Sequence, residues 1–241
     1  MNSCKNCNEP VNGNFCANCG QPVRLKRIDK YYIMQEIGDF LFAHKGMVYT
    51  IKKLLISPGD SVRRFLKEDR YRLVKPIAFL FITSLVYTLV CHYFQINAED
   101  FYVGQPEIEF PTVTLFINWM IDYQGYSSII TGLFIALWVK LFFRKSGYNI
   151  FEIFVLLCFI AGMASLLFSV TMIMQGLTHF NLIHISAFIA LIYNTWAIGQ
   201  FFDRRKAKSY IKAALSCMLG IFVFSILVSS IAIFIDVVIN V

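Results

Sequence analysis

Residues 151–174 read FEIFVLLCFIAGMASLLFSVTMIM, with a single charged side chain, Glu152, at the edge of an otherwise unbroken apolar run. About 20 mostly apolar residues suffice to cross the hydrocarbon core of a bilayer as a helix. Working outward, four more runs share that character, at 76–96, 127–143, 182–202 and 213–235. Five such runs predict an all-α membrane bundle over residues 76–241, since in lipid a helix satisfies its own backbone. The composition agrees: 57% hydrophobic against 15% charged, with a mean hydropathy of +0.60, excludes an ordinary globular cytosolic enzyme. No internal repeat or low-complexity tract is evident.

The chain is also basic, with 22 Lys and Arg against 15 Asp and Glu and a formal net charge of +7. With five spans, all 22 fall on one side, in 1–75, at Lys140, Arg144 and Lys145, and in the 203–212 loop. The opposite side, formed by 97–126, 175–181 and the C-terminus, carries Glu99, Asp100, Glu107, Glu109, Asp122 and Asp236 and no Lys or Arg. The positive-inside rule then predicts a cytoplasmic N-terminus and an external C-terminus. Residues 1–23 lack a signal-type apolar run, so an unprocessed N-terminus retained inside is expected.

Four of the seven cysteines, Cys4, Cys7, Cys16 and Cys19, lie in CKNCNEPVNGNFCANCG, residues 4–20, with the spacing C-x2-C-x8-C-x2-C. Each C-x2-C pair can form a knuckle with both thiolates on one side, and two facing knuckles complete a tetrahedral zinc site. A zinc ribbon over 1–23 follows, with one structural zinc and no open coordination position for catalysis. The competing reading, redox pairs or unpaired thiols, is disfavoured in a reducing cytoplasm. Asn12–Gly13 suits a hairpin turn between the knuckles, Gly20 suits a backbone of positive φ, and Phe15 is the expected small core. Lys5 is the one basic residue before Arg24, too little charge for nucleic acid as a partner. Cys91, Cys158 and Cys217 read as small apolar side chains.

Residues 24–75 are basic and amphipathic. Ile33, Ile37, Leu41, Val48, Ile51 and Leu55 recur at helical spacing beside Lys30, Lys45, Lys52 and Lys53, with Gly46 as an interruption. Ser57 reads as an N-cap, Pro58 as the first helical residue and Asp60 as a first-turn acid. That next helix sets Val62, Phe65 and Leu66 against Arg63, Arg64 and Lys67. Two dispositions stand open. In one, the helices lie in the headgroup region with Lys52, Lys53, Arg63, Arg64, Arg70, Arg72 and Lys75 toward anionic lipid. In the other, their apolar stripe packs on the inner ends of the spans.

The ribbon, together with Thr50, Leu54, Leu55, Pro58, Gly59, Val62, Arg63, Arg70-Tyr71-Arg72 and Lys75-Pro76, resembles a bacterial family of zinc-ribbon membrane proteins of unknown function. The likeness covers about residues 1–95. Where members often place Gly and Lys before the Arg-Tyr pair, this chain has Glu68 and Asp69. The resemblance implies the bacterial cytoplasmic (inner) membrane and no established activity. The five-span layout is also similar to the Yip family in architecture alone.

Intramembrane ionisable groups are the usual functional markers, but His92, His179, His184, Glu152 and Asp236 all fall near span ends, and Lys140 can snorkel. No metalloprotease, phosphate-loop or nucleophile-elbow motif is present, so no enzymatic activity is expected. The reading that uses every strong feature is a scaffold or adaptor presenting the ribbon and basic helices to lipid headgroups or a cytoplasmic protein partner. The alternative is a small-molecule or lipid transporter, suggested by Asn118, Asn181, Asn194, Thr195 and Gln200 in or near spans. The outer loop 97–126 is long enough for a lid or short interfacial helix, with Trp119, Tyr123 and Tyr126 as belt aromatics.

Overall fold

The computed structural model describes residues 2–11, 13–22, 46–96, 111–178 and 180–239. The expectations placed on Asn12, on His179, on the acids of 97–110 and on the stripe from Lys30 to Lys45 lie outside the described residues.

A small β unit, β1 (Asn2–Ser3) with β2 (Pro10–Val11), precedes a helical body. Two ten-residue helices follow, α1 (Met47–Ile56) and α2 (Pro58–Lys67). Five helices are long and apolar enough to cross a membrane: α3 (Pro76–Tyr93), α5 (Gln124–Phe142), α6 (Ile150–Thr178), α7 (Ile183–Asp203) and α8 (Ala207–Ile239). A shorter α4 (Pro111–Asp122) precedes α5. At 1.5 Å per residue, the 29 residues of α6 and 33 of α8 extend well past a hydrocarbon layer of about 30 Å.

The bundle is built around α6, whose apolar window is 67% buried against 17% for α8. Helix α3 packs along α6, α5 and α7 pack along α8, and α4 rests on α8 and α5. Met218, Phe222 and Phe234 of α8 are 57–68% exposed, an apolar surface that suits lipid and not water. Helix ends follow local rules. Asn149 and Glu152 form a reciprocal capping box at the start of α6, each backbone N–H reaching the other's side chain at 2.7–2.8 Å. Asp236, buried near the end of α8, accepts the Thr112 N–H at 3.2 Å at the start of α4. It falls near a span end, as its position in the sequence implies, but is buried there and serves to neutralise a helix N-terminus.

Helices α1 and α2 lie across the ends of the bundle, with α2 against α7 and α6. Phe65 of α2 meets Phe159 of α6 edge-on, ring centroids 5.3 Å apart, and Phe79 of α3 meets the same ring at 5.9 Å. Thr50 is buried and its Oγ1 accepts the Val74 N–H at 3.0 Å, while Tyr193 Oη donates to the Leu54 carbonyl at 3.1 Å. Ser57 stands at the N-cap of α2 without a side-chain capping bond. The orphan N–H of Gly59 is satisfied from another helix, by Gln200 Oε1 of α7 at 2.8 Å. Arg63 completes the join, donating to the carbonyls of Gln200 and Phe201 at 2.7 and 2.9 Å.

Candidate metal centre

Within residues 2–22 the chain makes one turn twice. In the first, the Asn8 N–H donates to the Cys4 carbonyl at 2.9 Å and the Cys4 N–H to the Glu9 carbonyl at 2.8 Å. In the second, Gly20 donates to Cys16 and Cys16 to Gln21, both at 2.8 Å. Asn8 and Gly20 occupy matching places at φ 63° and 72°, conformations that Gly and Asn tolerate best. The flanks pair likewise, Ser3 with Pro10 and Phe15 with Pro22. Each knuckle is thus the bend of its own small hairpin. The C-x2-C turns reverse the chain and pair each knuckle's own flanks; the turn expected at Asn12–Gly13 between the knuckles rests on Asn12, which lies outside the described residues.

The duplication is written in the sequence. CKNCNEPV, residues 4–11, and CANCGQPV, residues 16–23, share C-x-N-C-x-x-P-V at an offset of twelve, a short internal repeat where none was expected. Phe15, expected as the ribbon's core, is 66% exposed; with the four sulfurs at the centre, the unit leaves no room for an aromatic interior.

The four thiols converge. Sγ of Cys4 lies 3.6 Å from that of Cys19, Sγ of Cys7 lies 3.5 Å from that of Cys16, and all four fall within 4.8 Å of one another. A tetrahedron with metal–sulfur bonds of about 2.3 Å has edges of roughly 3.8 Å, so these separations suit a single ion held between them. Cys4 and Cys16 are buried and Cys7 half-buried. The backbone N–H groups of Cys7 and Asn6 hold the Cys4 thiol down to about 7, and that of Cys19 lowers Cys16. Cys7 goes the other way: the Glu9 N–H favours its thiolate, but desolvation and the neighbouring sulfurs outweigh it and push it up to about 11. Four thiolates this close need a cation, and the donor set fits a thiophilic metal.

The centre rests on the helical body. Arg72, after α2, donates from Nε to Asn6 Oδ1 at 2.8 Å and from Nη2 to the Asn6 carbonyl at 2.6 Å. Asp69 orients that guanidinium at 2.8 Å, and Gln21 Nε2 donates to the Glu68 carbonyl. Asn6 lies between the paired cysteines of the first knuckle, so the thiolate loop itself is the docking surface.

The seven cations expected at lipid headgroups divide accordingly. Arg63 is turned onto the end of α7, with Asp60 at 3.5 Å, and Arg72 onto the cysteine unit. Arg70 reaches back to the Leu66 carbonyl at 3.5 Å, and Lys75 is the N-cap residue of α3. Lys52, Lys53 and Arg64 are exposed, Lys53 with its amine 5.7 Å from the Tyr49 ring. The inward turn of Arg63 and Arg72 supplies donors to carbonyls at a helix end and in a loop, and leaving such groups buried without partners is costly.

A family model described as a protein of unknown function (DUF3667) matches residues 45–88. No curated protein and no solved structure matches the chain. Over α1, α2 and most of α3 the chain is similar to that family; Thr50, Gly59 and Arg63, which seat α1 and α2 as a cap on the bundle, and Arg72, which holds the cysteine unit, all fall within the matched stretch.

Proposed function

We propose that this protein is a non-enzymatic membrane scaffold that holds a zinc-loaded ribbon at a fixed place on the cytoplasmic face, with its N-terminus inside and its C-terminus outside. The observation that carries the reading is the clamp of the cysteine unit to the membrane domain through Asn6–Arg72 and Gln21–Glu68. A ribbon on a free tether needs no such joint. A ribbon that must meet a partner at one height and orientation above the bilayer does. Zinc is the metal that the reading assigns, because four thiolates in a closed tetrahedron give it a structural and non-catalytic site. The arrangement of Lys67 over Tyr148 at 5.1 Å, Arg204 beside Asp60 at 3.8 Å and Lys212 on the Phe142 carbonyl at 3.2 Å gathers cations from distant segments at one end of the bundle. That supports a cytoplasmic identity for this end.

Metal analysis of the purified full chain is expected to return one zinc per chain, and a Cys4→Ser, Cys7→Ser double variant none. The same variant is expected to lose the cytoplasmic partner in a cross-linking comparison with the unaltered chain. If partner recovery is equal in both, the adaptor role is wrong.

A second reading, transport, draws on a cavity of about 330 Å³ among α5, α6, α7 and α8. Gln124, Ser127, Thr131 and Asn194 line it among apolar side chains, and Asn194 Oδ1 is buried there with no hydrogen-bond partner among the described residues. No charged side chain contributes to that lining, which favours an uncharged or lipid-like cargo. Flux across proteoliposomes containing the full chain tests it directly.

A further inference from the structure

At the end of the bundle that carries the cap, a second basin opens between the turn after α5 and the turn joining α7 to α8. Its volume is about 470 Å³, within the range of small-molecule sites. Five cations line it, Arg144, Lys145, Lys206, Lys208 and Lys212, against one carboxylate, Asp203. Asp203 is spent on Lys206 at 2.8 Å. Lys212 is committed to the Phe142 carbonyl at 3.2 Å, its amine 5.7 Å from the Phe143 ring. Arg144, Lys145 and Lys208 have no carboxylate partner among the described residues. Three uncompensated cations around one basin repel each other, and an anion relieves that repulsion.

The floor has the opposite character. Phe143 and Phe202 stack face to face, centroids 3.8 Å apart and planes 9° from parallel, with Phe142 beside them. These rings stand at the ends of α5 and α7, where two apolar helices leave the hydrocarbon layer. A cationic rim above an aromatic floor, at that depth, has the two chemistries of a phospholipid at its headgroup boundary. A soluble anion would use the rim alone.

We propose that this basin binds the phosphate of an anionic phospholipid, with Arg144, Lys145 and Lys208 as the phosphate-facing groups and the Phe143–Phe202 pair against the glycerol and upper acyl chain. The site rests on the membrane reading of the five helices and is independent of the ribbon and its partner.

The test is lipid retention by the full chain in nanodiscs of phosphatidylcholine containing a tenth phosphatidylglycerol, read by native mass spectrometry. The unaltered chain is expected to keep one phosphatidylglycerol per chain in preference to phosphatidylcholine. An Arg144→Gln, Lys145→Gln, Lys208→Gln variant is expected to weaken that preference roughly a hundredfold, at about one decade for each one to two cations. Arg144→Lys with Lys145→Arg, which keep the charge, should retain it, as should Lys52→Gln with Lys53→Gln, which remove charge elsewhere on the same face. Equal loss in the Lys52, Lys53 variant reduces the effect to bulk charge and overturns the site, as does unchanged retention in the triple variant. Displacement of the lipid by 10 mM inorganic phosphate overturns the lipid assignment in favour of a soluble phosphate. Failure of the chain to enter nanodiscs strikes the membrane reading itself; entry without lipid preference strikes the site alone.

Discussion

At Gly59 the backbones of α2 and α7 come into direct contact. A Cβ there would stand 2.6 Å from the Gln200 carbonyl carbon and 2.8 Å from Phe201 Cα, and backbone cannot yield as a side-chain tip does. Gly59→Ala is therefore expected to lift the first turn of α2, breaking the bond to Gln200 and misaligning Arg63, at a cost of about 2–3 kcal/mol. In detergent-solubilised protein that is a fall in Tm of roughly 5 °C or more. Gln200→Leu keeps the shape but strands the Gly59 N–H, so a smaller loss of about 1–2 kcal/mol is expected. An equal or higher Tm for Gly59→Ala would mean that the contact is not tight. The sulfurs make a pH prediction at the same scale. Protons compete with metal for thiolates, so metal affinity falls as pH falls. Cys4, held near 7, and Cys16, also lowered, are the last to take up protons, whereas Cys7, near 11, gives up its proton at neutral pH only to the ion. Metal loading at pH 8 should thus release protons, seen as a buffer-dependent heat in calorimetry, and acidification to about pH 5 should release the metal to a zinc indicator.

The twelve-residue duplication makes the two knuckles near copies, yet they do different work: Asn6 in the first takes both donors of Arg72, while its counterpart Asn18 is exposed. Arg72→Gln is expected to free the cysteine unit without unfolding it, increasing tryptic cleavage in the 23–45 segment severalfold while zinc content stays at one per chain. Loss of zinc in that variant would show docking and metal binding to be one event. The helices were legible to differing degrees. Runs at 76–96 and 151–174 became α3 and α6 because no Lys, Arg, Asp or Glu breaks their interior. Helix α8 begins at Ala207 and not at 213, because Lys208 and Lys212 halt a hydropathy scan but not a helix whose first turns lie beyond the lipid. The four cysteines that converge were plain from spacing alone. Their docking was not, since Arg72 and Asn6 are 66 positions apart and a basic residue ahead of a span reads equally well as a lipid anchor.

For the molecule as a whole, the charge pattern acquires a physical body in which basic segments from three regions of the chain meet at one end of the bundle. A reporter fused after Val241 is expected to be active on the outside and silent in the cytoplasm, and the reverse result would invert the molecule. The sequence could group these segments on one side of the five apolar runs, the side that the cost of translocating positive charge assigns to the interior. It could not say that Arg63 would close on α7, since that depends on which helix end the fold brings near.

That closure has a consequence in time. Gly59 and Gln200 are 141 positions apart, so the receiving helix does not exist until four of the five long apolar helices have been synthesised. Until then α2 has only part of its seat, the side of α6 at Phe159, and its first turn waits upon an element made nearly last. Such a join of high sequence separation forms late and slowly compared with local helix contacts. Assembly of this protein therefore ends at the end of the bundle that carries α1 and α2, and their closure on α7 marks a chain whose fourth long helix is in place.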